Sequence, residues 1–326
     1  MIADPVLTLG WLFLAHFVAD FVLQTDRIAT DKGADGRRAL VGMTRHTAAV
    51  AVCLVPVVLA FGGPGLSFLL IVTVSHGLID RAKIVWTRRA DALAAESAKS
   101  IGSGASPKGL GPAWTPIPAA LFVLDQAVHL AIIVVFWAIC LAGAPLTAPF
   151  ADFVDLLLRR WDPAAVHTVI LWTVVLASLL IVNVRAASFF VATLVLPRPA
   201  PASPSAPEQE ATSTTTTVRV GPFTATTETK ATPPRPVAPE TEPAAGALPD
   251  RVGETIGVLE RLLVVIFVLG GASVAVGLVI AAKTIARFRQ LDDRAFAEYY
   301  LLGTLASVTV AVVSALIAAQ ALGIKV

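Results

Sequence analysis

An all-α fold, a polytopic transmembrane helical bundle of about seven spans with a disordered Pro/Thr-rich linker, is what this 326-residue sequence predicts, since its apolar runs are near the length that crosses the bilayer. Three observations carry that prediction. Hydrophobic residues make up 56% of the chain and charged residues 15%, with mean hydropathy +0.76, whereas soluble chains carry roughly 25% charged residues. So little polar surface cannot coat a water-facing particle of this size. The apolar residues are gathered into runs near the twenty or so positions that cross about 30 Å of hydrocarbon. Lys and Arg collect in some of the connections between runs and avoid others, the pattern that orients membrane chains. The net charge of +2 and the lack of a basic, aromatic-interleaved stripe exclude a nucleic-acid partner. Cys53 and Cys140 lie inside apolar runs, so neither a disulfide framework nor a cysteine zinc site is available.

The first span covers about Val6–Leu23 and is read as retained: no Lys or Arg precedes it, it has no small-residue cleavage site, and it contains His16 and Asp20. The second and third, about His46–Phe61 and Leu66–Ile84, form a helical hairpin around Gly62-Gly63-Pro64-Gly65. A polar stretch follows from Thr87 to Pro116, whose Ser100–Gly111 part reads as flexible loop. The fourth span runs from about Ile117 to Leu141, and Phe150–Trp161 has the spacing of a short surface helix. The fifth apolar region, Val166–Leu196, is long for one span and is expected to be interrupted at Asn183 and Arg185, which read as a span end. Pro197–Asp250 is dominated by Pro, Thr, Ala and Glu and cannot bury a core, so it reads as linker, with local structure at most at Val218–Phe223. Two last spans, Ile256–Ala282 and Tyr299–Ala319, flank a charged loop, Lys283–Glu298. In the sixth span Glu260 and Arg261 are expected to snorkel to the interface, and Gly270, Gly271 and Gly277 to permit close helix packing.

The organisation that results is a four-span domain over 1–145, an interfacial helix and fifth membrane region over 146–196, the linker over 197–250, and a two-span hairpin over 251–326. Arg27, Lys32, Arg37, Arg38 and Arg45 follow the first span, Arg81, Lys83, Arg88 and Arg89 end the third, and the turn near Gly62 has none. The amino terminus is therefore expected outside and both basic loops in the cytoplasm of an inner (plasma) membrane. The loop holding Lys283, Arg287, Arg289 and Arg294 would then fall outside, against the same rule, so the orientation of the last spans stays open.

Ionisable groups inside a span cost about 2.5–3.5 kcal/mol each on insertion scales and point to function by default. His16 and Asp20, His76 and Asp80, and Asp125 and His129 each stand four positions apart, one helical turn on one face. His16 and Asp20 end a span at the cytoplasmic side, as do His76 and Asp80; His46 opens the next span there, and Asp125 and His129 lie early in the fourth. All seven therefore reach one layer. Neutral imidazoles with carboxylates suit a divalent metal, with zinc, manganese or iron as candidates, and the set is large enough for two ions. Such a metal would activate water and polarise an ester or phosphoryl group. Gln24, Asp26, Lys83 and Gln126 are placed to complete an outer shell or to bind an anionic substrate. The plainer reading is interhelical hydrogen bonding, but at about 0.6 kcal/mol per bond it does not offset several inserted charges. His46, beside Arg45, also admits an interfacial role, and His167 reads as interfacial.

The stretch His16-Phe-Val-Ala-Asp20-Phe-Val-Leu-Gln24-Thr-Asp26, the isolated His46, Ser75-His76-Gly-Leu-Ile79-Asp80-Arg-Ala-Lys83 and Asp125-Gln126-Ala-Val-His129 resemble the bacterial membrane proteins grouped as domain of unknown function 3307. The resemblance covers about Leu7–Leu141, and the carboxyl-terminal Glu254–Arg261, Ala281–Phe288, Glu298-Tyr299 and Gly303–Leu305 are similar to longer members. It implies no settled activity. The motifs are similar in style to membrane-bound metal-dependent hydrolases, which makes hydrolysis of a lipid-linked or small phosphate or ester substrate the leading expectation, with the lipid bilayer as the other partner. A proton- or divalent-metal-coupled carrier or sensor and a non-catalytic scaffold are the alternatives.

Overall fold

Capping residues set where the first helices begin. The Asp4 carboxylate accepts the Leu7 N–H at 2.7 Å and Pro5 opens α1 (Pro5–Phe17), which runs on into a π-helical turn, Val18–Leu23. Thr25 caps the short α2 (Asp26–Lys32), and α3 (Gly36–Phe61) follows. Gly62, at φ +62°, takes the left-handed conformation that ends α3, and α4 (Gly63–Ser100) returns antiparallel to it. A Cβ at Gly65 would stand 2.4 Å from the Val57 carbonyl oxygen, so this hairpin closes only because the position has no side chain. α5 (Ile117–Phe136) ends in a second π turn, Trp137–Leu141. α6 (Ala148–Leu158) is the expected short helix, with Phe153, Leu156 and Leu157 exposed. α7 (Pro163–Ile181), capped by Asp162, passes through a third π turn, Val182–Ala186, into α8 (Ala187–Val195). The last helices are α9 (Pro249–Leu269), α10 (Val274–Ala286) and α11 (Arg294–Leu322).

This computed structural model describes residues 4–100, 115–195, 214–220, 223–229 and 249–326. Nearly all of the expected Ser100–Gly111 loop and most of the linker lie outside the described residues. Inside the linker, β1 (Thr214–Val220) pairs antiparallel with β2 (Phe223–Thr229), with Val220 opposite Phe223 and Thr214 opposite Thr229. The hairpin includes Val218, Val220 and Phe223 of the stretch where local structure was expected and extends beyond it on both sides, to Thr214 and Thr229. Its threonines are β-branched and favour the strand, a preference that the Pro-rich composition around them masks.

Two apolar clusters hold the helices. Leu12, Ala19, Val50, Leu54, Phe68, Val72 and Ile133 join α1, α3, α4 and α5. Val175, Leu179, Val264, Val268, Ala311 and Ala315 join α7, α9 and α11, so the segments on either side of the linker share one core. Ala311, Ala315 and Ala319 of α11 are fully buried, which allows the close backbone approach that helix packing in lipid requires. α1 packs on α7, where a Cβ at Gly10 would already touch Val174 at 3.2 Å. Large side chains such as Leu59, Leu78 and Ile139 point outward, where lipid rather than water is the expected solvent.

Among the described residues, five helices are long and apolar enough to cross a membrane: Pro5–Val22, Gly36–Phe61, Ile117–Leu141, Pro163–Val195 and Phe296–Leu322. The chain is a helical membrane protein, and these five do not by themselves confirm the expected count of about seven. The expected span Leu66–Ile84 lies within α4, which is not among the five. The expected span Ile256–Ala282 is two helices, because Gly271 adopts φ +71° and separates α9 from α10. Gly270 and Gly271 thus end a helix rather than pack one against another, and a Cβ at Gly277 would meet open space. The fifth region is a single continuous helix; Asn183 and Arg185 lie in its π turn and do not end it. Arg261 does not snorkel. It is 4% exposed, and its Nε donates to the Asn183 carbonyl at 2.7 Å, its Nη1 to Ser307 at 3.2 Å and its Nη2 to Ser188 at 2.5 Å. The π turn assists this joint by moving the Ala187 N–H from the Asn183 carbonyl to that of Val182. Glu260 is likewise engaged, by Lys283 at 2.6 Å.

Candidate metal centre

Each of the seven His and Asp candidates is carried by a different turn of α1, α3, α4 or α5, and all seven are buried. The end of α1 brings two of them in. His16 sits in its last α turn, and Asp20 in the π turn, whose wider winding shifts residues beyond it around the axis. His16 Nε2 is 3.8 Å from Asp20 Oδ2, and Asp20 Oδ1 points across to α3 and α4, 3.4 Å from His46 Nε2 and 3.3 Å from His76 Nε2. His46, for which a span-end position left an interfacial role open, is 0% exposed at the middle of the set. The reason is that α3 begins ten residues before the apolar run does, so His46 is two turns and more inside the helix.

The tightest part of the set comprises His46 Nε2, His76 Nε2, Asp20 Oδ1 and Asp80 Oδ2. The two nitrogens are 2.8 Å apart, and Asp80 Oδ2 is 3.2 Å from His46 and 3.9 Å from His76. With the contacts of Asp20 these separations run from 2.8 to 3.9 Å. They bracket the edge of about 3.3 Å that a tetrahedron of donors at about 2.0 Å from zinc requires. Asp20 Oδ1 accepts no hydrogen bond despite these neighbours. A donor atom that is buried, close to two others and unsatisfied is costly alone and fits a cation.

A second group adjoins the first. Asp80, Asp125 and His129 offer ligand atoms within 4.8 Å of one another, and His16, Asp20 and His76 form a third such triplet. His129 Nδ1 donates to the Asp125 carbonyl at 2.8 Å, which fixes its ring and leaves Nε2 buried without a partner. The rings of His76 and His129 lie 4.1 Å apart, and those of His16 and His129 5.2 Å. The donor set, neutral imidazoles and carboxylates, is one that zinc, manganese or iron accepts.

Three of the four expected outer residues reach the set. Gln126 spans it, accepting from or facing His16 Nε2 at 3.3 Å and donating to Asp20 and Asp125 at 3.2 Å each. Lys83 holds Asp125 Oδ2 at 2.8 Å. Gln24 reaches it through Lys32, which by sequence is only one of the basic loop residues: Lys32 donates to Gln24 at 2.8 Å and to Asp80 Oδ2. Asp26 lies exposed in the first turn of α2 and takes no part. Lys32 is buried because α2 lies directly on α3 at Gly42, where a Cβ would stand 2.5 Å from the Lys32 backbone nitrogen. No spacing rule announces it; only the glycine opposite does. Lys32 and Lys83 offset two of the three carboxylates, which would otherwise be prohibitive so far from water. His167, as expected, lies outside the set, half-exposed and 3.7 Å from Asp4.

Residues 8–154 match the model of a family described as protein of unknown function (DUF3307), and every member of the cluster falls within that match. The carboxyl-terminal motifs lie beyond it. No curated protein and no solved structure matches the chain.

Proposed function

We propose that the cluster inside the matched residues 8–154 binds a divalent cation, and that the protein is a metal-dependent hydrolase of a lipid-linked or small phosphate or ester substrate at the cytoplasmic face of a bacterial inner membrane. The observation that carries the reading is the convergence of His46 Nε2, His76 Nε2, Asp20 Oδ1 and Asp80 Oδ2 at separations suited to one ion. Those four residues would hold the cation, and Asp125 with His129 would hold a second or serve the first. A bound divalent cation would polarise an ester or phosphoryl oxygen and offset charge developing there. Where it holds no second cation, His129, pinned through Nδ1, would present Nε2 as the proton acceptor of the set. Gln126 keeps Asp20 and Asp125 in register. Lys83, the most open charged group of the cluster at 28% side-chain exposure, is suited to meet an anionic substrate.

A second reading, a proton- or metal-coupled carrier, draws on the same burial: four imidazoles and three carboxylates in contact inside a bundle also suit a relay. Metal content separates the metal-binding readings from a purely structural role. Purified wild-type chain is expected to carry zinc, manganese or iron in stoichiometric amount by mass spectrometry of the elements, and His46→Ala and His76→Ala to lose it while keeping their helical content. Wild-type protein purified without chelators and still free of metal would sink the reading. Release of phosphate or alcohol from ester substrates by the loaded protein distinguishes the hydrolase from a carrier, which would instead move the ion across liposomes.

A further inference from the structure

We propose that an arginine-walled cavity formed by α2 and the start of α3 binds a phosphate group, carried by an anionic lipid headgroup or free in solution. The proposal goes beyond the metal reading and does not depend on it. The cavity measures about 460 Å³, and Arg27, Thr30, Asp31, Arg37, Arg38 and Arg45 form most of its wall. That volume lies within the roughly 300–1,000 Å³ of small-molecule sites.

Four arginines line this space and one carboxylate answers them. Asp31 is buried and accepts Arg38 at 3.0 Å, with Arg45 at 3.8 Å. The nearby Asp35 pairs with Arg88 at 2.8 Å and does not line the cavity. Among the described residues neither Arg27 nor Arg37 has a carboxylate partner. Arg37 and Arg38 also stand in the first turn of α3, which contains no acidic residue, at the end of the helix where the dipole disfavours cations. Arginines kept in the cytoplasmic loop only to orient the chain would be as effective spread apart. Here they converge on a shared cavity, at a cost in mutual repulsion that a multivalent anion removes. Guanidinium forks bind phosphate oxygens in pairs, and the buried Asp31 holds two of the forks in place.

The same short helix carries the neighbouring Lys32 into the metal cluster, so a phosphate here would lie one residue along the chain from a group on Asp80. The test uses the full-length protein in detergent, native mass spectrometry, and three probes: phosphatidylglycerol, phosphatidylcholine and inorganic phosphate. Wild type is expected to retain phosphatidylglycerol at least tenfold over phosphatidylcholine, or, if the ligand is free phosphate, to bind inorganic phosphate with no lipid preference. Arg27→Gln with Arg37→Gln is expected to abolish whichever binding is seen, and Arg27→Lys with Arg37→Lys, which keeps the charge, to weaken it several-fold. Both double variants are expected to keep the wild-type metal content, which separates this site from the cluster. Equal retention of the two lipids without phosphate binding would overturn the proposal, as would wild-type binding by the glutamine variant.

Discussion

Gly42→Ala is the smallest change that reaches the cluster without touching a member of it. The added Cβ would stand 2.5 Å from the Lys32 backbone nitrogen, 2.7 Å from the Asp31 carbonyl carbon and 2.8 Å from Asp31 Cβ. Non-bonded heavy atoms settle at about 3.5–4.0 Å, so α2 must retreat by about 1 Å, and its backbone, unlike a side-chain tip, cannot bend aside. Alanine gains about 1 kcal/mol of helix propensity over glycine. Overpacking costs about 1–3 kcal/mol, and withdrawing Lys32 from a carboxylate that stays buried adds up to about 3–5 kcal/mol. The losses exceed the gain. At about 2–4 °C per kcal/mol for a chain of this size, the midpoint of thermal unfolding in detergent should fall by several degrees. Lys32 should also become open to amine-reactive labelling, read by peptide mass. Gly33→Ala is the control: its Cβ would meet carbonyl oxygens at 3.6 Å, an ordinary contact. If Gly42→Ala melts at or above the wild-type temperature with Lys32 still protected, the account of α2 as a fitted strut is wrong.

Arg261→Ala removes donors to Asn183, Ser188 and Ser307 and is expected to cost about 3 kcal/mol or more; Arg261→Lys should recover only part, because an ammonium cannot reach all three, and chemical denaturation in detergent would measure both. Gly65→Ala forces a Cβ to 2.4 Å from the Val57 carbonyl, so the α3–α4 hairpin should open and the melting midpoint drop by more than for Gly63→Ala, where nothing lies within 4 Å. Equal midpoints for the two would contradict the close approach at Gly65.

Where side chains repeat at helical spacing, the sequence was a good guide. The fourth span was legible to the residue, since Ile117–Leu141 is bounded by prolines and by the Gly143 turn. The His/Asp pairs were legible because charge in an apolar run has few explanations. What failed had a common cause: hydropathy does not report the partner. Asn183, Arg185, Glu260 and Arg261 looked like helix ends, because a polar residue near the end of an apolar run reads the same whether it meets water or another helix. Asn183 and Arg261 met each other, a pairing 78 positions apart that no window contains. Lys32 was hidden in the same way, and Gly271 was misread because glycine serves equally for packing and for a positive φ. Asp26 followed the family-like motif but fell on the wrong face of a short helix.

Three of the long helices contain a π turn, and two of these hold the residues on which the interior depends, Asp20 and Asn183. A π turn is the trace that a single extra residue leaves when a helix absorbs it instead of looping it out. Deleting one residue between His16 and Asp20 would wind α1 back into regular register and carry Asp20 about 100° around the axis, away from His46 and His76, while His16 stayed put. Helix length and hydrophobicity would scarcely change, and membrane insertion would proceed as before. The reading frame of the helix, rather than its composition, is therefore the quantity on which Asp20 depends, and chains that differ by one residue there would look alike in every hydropathy profile yet differ in whether the cluster closes.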